Sequence, residues 1–258
     1  MTSTIKIHQV KTRHVNSYVI EYPHKLLVVD VAGGAHRYVL GFIEHELKRD
    51  VSEVGLVTCS HDDPDHIGGV FALAGLCNAP VGIPYASNLP FHKLMNNPSG
   101  VLVKTATSFR EALRARSWEM YMNPKRDKEA KGKPVFAGLR ADHQALNRHG
   151  IAKKSDKVDH RLKDKQTLPG FGDWSVVHTP GHSWDSCCFY HRQSQSLISG
   201  DTLLGSAKKG KLMTPSIYSN ALHTQSSLNK LERLNLTAVY PGHGSVIEGN
   251  NLISNVHA

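Results

Sequence analysis

The stretch "TCSHDDPDHIGG" (Thr58–Gly69) places two histidines, three aspartates and a proline in the six positions from His61 to His66. Ahead of it, "EVGLVTCS" (Glu53–Ser60) is apolar and β-branched and reads as a strand. Behind it, "IGGVFALAGLC" (Ile67–Cys77) reads as a helix, with Pro64 suited to the first turn, where its missing N–H costs nothing. The polar cluster is therefore expected in a strand-to-helix loop. In an extended loop alternate residues share a side, so Asp62 is expected to point away from His61 and Asp63 as an exposed or supporting bystander. Cys59 reads as a small core residue at the strand end.

Working outward, "VNSYVIEY" (Val15–Tyr22), "LLVVDV" (Leu26–Val31) and "APVGIPY" (Ala79–Tyr85) read as strands. "RYVLGFIEHELKRD" (Arg37–Asp50) has helical spacing. Farther along, "DWSVVH" (Asp173–His178), "SCCFYHR", "SLISGD" (Ser196–Asp201) and "TAVYP" (Thr237–Pro241) read as strands, and "SSLNKLERLNL" (Ser226–Leu236) as a helix. Four of these strands end in glycine-flanked loops carrying His or Asp: His61–His66, His182, Asp201 and His243. Carboxyl ends of strands are where α/β chains build their sites. Several imidazoles and carboxylates together suit two divalent cations, because carboxylates alone would repel one another.

Composition places this chemistry in a globular setting. A length of 258 residues suits one large α/β or sandwich domain, and 40 % hydrophobic with 21 % charged residues fits a globular protein and argues against global disorder. The apolar runs are too short to span a membrane, and the N-terminus has no apolar core that would read as a signal peptide. The four cysteines form no CxxC pair, and reduced thiols in a cytoplasmic chain are the simplest expectation. Charge is uneven: Lys104–Lys165 holds 17 basic and 8 acidic residues, which accounts for the whole formal net charge of +9. A solvated face explains this; attraction of an anionic substrate or of nucleic acid is the sharper reading. Within the segment, "SFREALRARSWEMYM" opens on a Ser108/Glu111 capping-box pattern and predicts a helix. "GLRADHQALNRHG" (Gly138–Gly150) predicts another, beyond the charged loop at Asn123–Pro134. Residues 91–165 are expected to be a basic helical insertion, a lid, on a single domain spanning 1–258.

The set His61-x-Asp63-x-Asp65-His66-x-Gly68-Gly69, "HTPGHS" (His178–Ser183), "SGDTL" (Ser199–Leu203) and "PGHG" (Pro241–Gly244) resembles the metallo-β-lactamase superfamily, in its motif order. "NSYVIE…LLVVDVAGG" is similar to its first strands. The resemblance implies a four-layer αβ/βα sandwich holding its metals at one sheet edge. It implies one ion on His61, Asp63 and His182 and a second on Asp65, His66 and His243. Asp201 would bridge them, and a hydroxide between the ions would be the nucleophile. Asp65 and Asp201 are thus the residues expected nearest the chemistry. Zinc is the default metal, with manganese or iron as alternatives.

The commoner motif has His where Asp63 stands. Three outcomes are open: Asp63 binds and gives a harder, more anionic site, one metal suffices, or binding persists without catalysis. His178 is expected beside the site or at a strand end, and His223 at the surface or near the site as a proton donor. Within the superfamily, the chain ends 15 residues after His243, where glyoxalase II enzymes carry a helical domain with glutathione contacts, so that type ranks lower despite the shared "GDTL". Leu204 stands where quorum-signal lactonases place a tyrosine. The expected activity is a dinuclear, lactonase-like metallohydrolase acting on an ester, lactone or thioester of a small molecule. Arg110, Arg114 and Arg116 would favour anionic substrates. The alternatives are a phosphodiesterase using the basic insertion and a metal-binding sensor with reduced catalysis. No membrane partner is expected, and the oligomeric state is not legible.

Overall fold

The computed structural model describes residues 5–12, 15–114, 157–254 and 256. The helix expected at Gly138–Gly150, the charged loop at Asn123–Pro134 and Arg116 lie outside them. The chain divides into two compact units. One contains residues up to 59, 63–82 and the described residues up to 160; the other contains 60–62, 83–114 and 161 onward.

The first sheet orders its strands β1 (Lys6–Lys11), β2 (Asn16–Glu21), β3 (Leu26–Val29), β4 (Val54–Thr58), β5 (Val81–Pro84) and β6 (His160–Leu162) in sequence. β1, β2 and β3 pair antiparallel, and β3, β4 and β5 run parallel. β3 and β5 are buried along their whole length, as expected of strands covered on both faces. α1 (His36–Gly41) continues into a π turn at Phe42–Glu46, so the helix expected over Arg37–Asp50 ends short. The helix expected from Ile67 is instead two: α2 (Pro64–Ile67), with Pro64 in its first turn, and α3 (Val70–Cys77). α3 packs on β4 and α1, burying Val70, Leu73, Ala74 and Cys77.

The second unit begins with α4 (Pro90–Asn96) and α5 (Gly100–Ala112). α5 corrects the sequence expectation. It starts after Ser99, so Ser108 is interior and caps nothing. Glu111 instead accepts from Arg110 at 2.9 Å and Arg114 at 3.1 Å. Both arginines pair with this buried carboxylate while their side chains stay well exposed, 43% for Arg110 and 59% for Arg114.

The second sheet has the order β14-β13-β10-β9-β8-β7, from β7 (Thr167–Leu168), β8 (Phe171–His178), β9 (Cys187–His191), β10 (Ser196–Gly200), β13 (Ala238–Pro241) and β14 (Ile247–Glu248). A hairpin, β11 (Leu204–Ser206) with β12 (Lys211–Met213), stands apart in pairing. α6 (Ala221–Leu231) starts and ends five residues earlier than its periodicity suggests, because Asn220 caps it by accepting from the His223 N–H at 3.1 Å. Its Leu228 and Leu231 join Cys188, Leu197, Val239 and Ile247 in one apolar core. Burying each such side chain contributes about 2 kcal/mol, which fixes the sheet edge that carries the polar residues. Among the described residues no helix is long and apolar enough to cross a membrane.

Candidate metal centre

Strand direction brings the candidate ligands together. β10 and β13 are parallel, while β9 is antiparallel to both β10 and β8. So β8, β10 and β13 all point the same way, and their carboxyl ends share one edge. His182 follows β8, Asp201 directly follows β10, and His243 follows β13. His61, in the same unit, joins them: the donor atoms of His61, His182 and Asp201 lie within 4.8 Å of one another, all three residues buried. The rings of His61 and His182 meet edge-on with centroids 4.8 Å apart. One Asp201 oxygen lies 3.7 Å from His182 Nε2, and the other 3.4 Å from His243 Nε2.

Neighbouring groups aim the imidazoles. His182 Nδ1 lies 2.8 Å from the Ile217 carbonyl, which can only accept. Nδ1 therefore carries the proton, and the Nε2 lone pair faces Asp201. His61 Nδ1 lies 3.0 Å from Ser60 Oγ. The turn before His182 requires glycine: Gly181 has φ +151°, and a Cβ there would meet Thr224 Oγ1 at 2.4 Å. A buried carboxylate between imidazole nitrogens is a donor set that fits a divalent cation.

The other motif residues lie in the first unit. Asp63 is the residue before α2, with an extended backbone, and is not in the gathered set of His61, His182 and Asp201. Asp65 and His66 sit on α2 itself, with His66 Nε2 3.8 Å from Asp65 Oδ2. His66 Nδ1 lies 3.0 Å from Asp30 Oδ2, both residues fully buried. That carboxylate orients the ring, the kind of contact that raises an imidazole's basicity where it serves as a metal ligand. Asp30 has φ +58°, and its N–H donates to Thr58 at the end of β4. Val31 and Gly69 clasp α2: Val31 N–H donates to the His66 carbonyl and Gly69 N–H to that of Val31, each at 2.8 Å. A Cβ on Gly69 would come within 2.4 Å of the Ala32 carbonyl oxygen, which explains the glycine after the ligand motif.

Asp62 takes the supporting place expected of it, outside the gathered donors. Its carboxylate binds Lys93 Nζ at 2.5 Å and the Asn88 N–H at 2.8 Å, and its own N–H donates to Asp185 at 2.9 Å. Burial pushes the Asp185 carboxyl up, but the Lys93 ammonium and the donors from Lys93 and Ser87 outweigh it and hold the group at about 2. Asp30, Lys93 and Asp185 were not read from the sequence. Asp30 could have been, as a fifth strand-end carboxylate; nothing local marks the other two. His178 ends β8, with Nε2 2.7 Å from the Trp184 carbonyl and burial lowering its pKa. His223 packs its ring 5.3 Å from Trp184 and is not among the gathered donors. Leu204 is buried in β11.

The family model described as the metallo-beta-lactamase superfamily matches residues 10–243. The chain belongs to the metallo-β-lactamase superfamily. Solved members share the fold: the BLEG-1 B3 metallo-beta-lactamase has a TM-score of 0.57 at 20% identity, covering 95% of this chain and 94% of that one. A metallo-beta-lactamase from Pontibacter korlensis has 0.56 at 16% identity, covering 98% and 93%. Closer sequence similarity is local. An atrochrysone carboxyl ACP thioesterase of Aspergillus fumigatus is 38% identical over 73 residues, 28% of this chain and 21% of that protein. A probable hydroxyacylglutathione hydrolase of Schizosaccharomyces pombe is 36% identical over 89 residues, 33% of this chain and 34% of that one. The match to these curated relatives thus spans only about a fifth to a third of their length.

Proposed function

We propose that this metallo-β-lactamase superfamily member is a metal-dependent hydrolase of a thioester, ester or lactone of a small molecule, with the thioester foremost. The observation that carries the reading is the buried gathering of His61, His182 and Asp201 within 4.8 Å at one sheet edge. The local similarity to a carboxyl ACP thioesterase and to a probable hydroxyacylglutathione hydrolase supports the choice of thioester.

In this reading His61, His182 and Asp201 hold one ion, with Asp63 added from its motif position. Asp65, His66 and His243 supply the second set in the family pattern. Zinc is the first expectation, and manganese or iron suits the extra carboxylate. A bound divalent ion would supply a Lewis acid at the scissile carbonyl and lower the pKa of water towards neutrality. The chain's own part is to hold the donors ready: Ile217 fixes the tautomer of His182, and Asp30 fixes the ring of His66. Asp201, with an oxygen towards each of His182 and His243, is placed to keep both rings aimed at a cation.

A panel of thioesters, esters, lactones and phosphodiesters tests the proposal. Turnover of the first three classes that is lost in Asp201→Ala and His66→Ala is expected. Turnover confined to phosphodiesters, or tight metabolite binding with no turnover at all, would refute it.

A further inference from the structure

We infer that Lys93 is a positioning residue for the metal centre: through it, α4 locks together the loops that carry His61 and His182. This rests on the reading that those two histidines, with Asp201, hold an ion.

Lys93 Nζ lies between two carboxylates, 2.5 Å from Asp62 Oδ1 and 2.7 Å from Asp185 Oδ1. Asp62 directly follows His61, and Asp185 lies in the short loop after His182. The loops are also joined directly, since the Asp62 N–H donates to Asp185 Oδ2 at 2.9 Å and the Cys187 N–H to the Ser60 carbonyl at 2.8 Å. Ser183, the neighbour of His182, donates to Asp185 Oδ1 at 2.8 Å, and Ser87 to Oδ2 at 2.6 Å. Asp185 is 1% exposed, so its charge depends on these donors and on the one ammonium among them.

Removing that ammonium leaves the Asp62 and Asp185 carboxylates as neighbouring like charges without the cation that bridges them, which favours one of them swinging away. If Asp62 moves, the backbone that sets His61 moves with it; if Asp185 does, Ser183 and the His182 loop lose their anchor. Substitutions in the groups that orient metal ligands typically cost 10–100-fold in metal affinity. The sequence offers no sign of this role, because Lys93 is one basic residue among many at the start of the segment read as an insertion.

The test is Zn2+ binding by chelator competition, with the d–d spectrum of the Co2+ form as a second readout, on wild type, Lys93→Met, Lys93→Arg and Lys93→Met/Asp62→Asn. Thermal unfolding of each metal-free form runs alongside. Lys93→Met should weaken Zn2+ binding by about 10–100-fold and alter the Co2+ spectrum. Lys93→Arg, which restores the cation, should recover most of the affinity, and the double variant, which removes the like-charge clash, should recover part of it. A folded Lys93→Met protein with wild-type affinity and spectrum overturns the inference. If Lys93→Met does not fold, Asp62→Ala takes its place: weakened Zn2+ binding upholds the link, and unchanged binding overturns it. Wild-type protein that takes up no Zn2+ would instead contradict the metal reading itself, an outcome distinct from intact wild-type binding with unaffected variants.

Discussion

Asp201 Oδ2 lies 3.7 Å from His182 Nε2, although the strands that deliver the two residues, β10 and β8, are separated in the sheet by β9. The antiparallel strand between them is what makes the meeting possible, because it restores a common direction to its two neighbours. An aspartate and a histidine thus converge on one edge from loops far apart in sequence.

Asp201→Ala should therefore remove the acidic member of the gathered set and leave His61 and His182 as the remaining donors of that group. Zn2+ affinity is expected to fall by more than about 100-fold and turnover to near background, with the metal-free protein still folded. Chelator competition and steady-state kinetics check both.

Asp63→Ala should do less. Asp63 is outside the gathered set, and its place on an ion rests on the motif. A loss of about tenfold in Zn2+ affinity is expected, well short of that for Asp201→Ala. An equal loss would make Asp63 a full ligand; no loss would remove it from the centre.

Acid stability should report Asp185. Its folded pKa of about 2 is below the ordinary 3.8, so the folded state binds its proton less readily than the unfolded one. The stabilisation is full above about pH 4 and is lost as pH falls towards 2; by linkage it is worth roughly 2 kcal/mol. Urea unfolding of metal-free protein across this range should show that decline in wild type and a flatter profile in Asp185→Asn.

Gly69→Ala should strain the clasp on α2. The added methyl would sit 2.4 Å from the Ala32 carbonyl oxygen and 2.7 Å from Val31 Cγ1. A loss of about 2 kcal/mol in unfolding free energy is expected, because the nearest obstruction is backbone and cannot rotate away.

The four cysteines should resist thiol reagents in the native state. Cys59, Cys77, Cys187 and Cys188 are all buried as free thiols, and burial pushes Cys77 up to about 12 and Cys187 up as well. Reaction with a disulfide reagent should be slow in buffer and complete in denaturant.

The sequence disclosed the fold and the ligand loops for a physical reason. β3 is a continuous apolar run and β2, β4, β9 and β10 are rich in aliphatic or aromatic residues, and the loops after β4, β8, β10 and β13 carry their His and Asp beside glycines, so both patterns are local. Elements held by tertiary pairing escaped it: β1, β7 and β14 are short or mixed in polarity and exist because a neighbour pairs with them. The Ser108/Glu111 pattern misled because a capping box is only a pattern until a helix starts there, and α5 had already begun at Gly100. Lys93 and Asp185 were illegible because their meaning lies in a contact made far along the chain. Asp62 points away from the gathered donors as its place in an extended loop suggested, but its lysine partner was illegible because only the fold supplies it.

The most direct measurement is thioester hydrolysis by protein stripped with a chelator and then titrated with Zn2+. The account predicts no turnover in the stripped protein and a rise that saturates at about one to two equivalents of Zn2+. Zinc uptake below about half an equivalent, or turnover that ignores added metal, would contradict it.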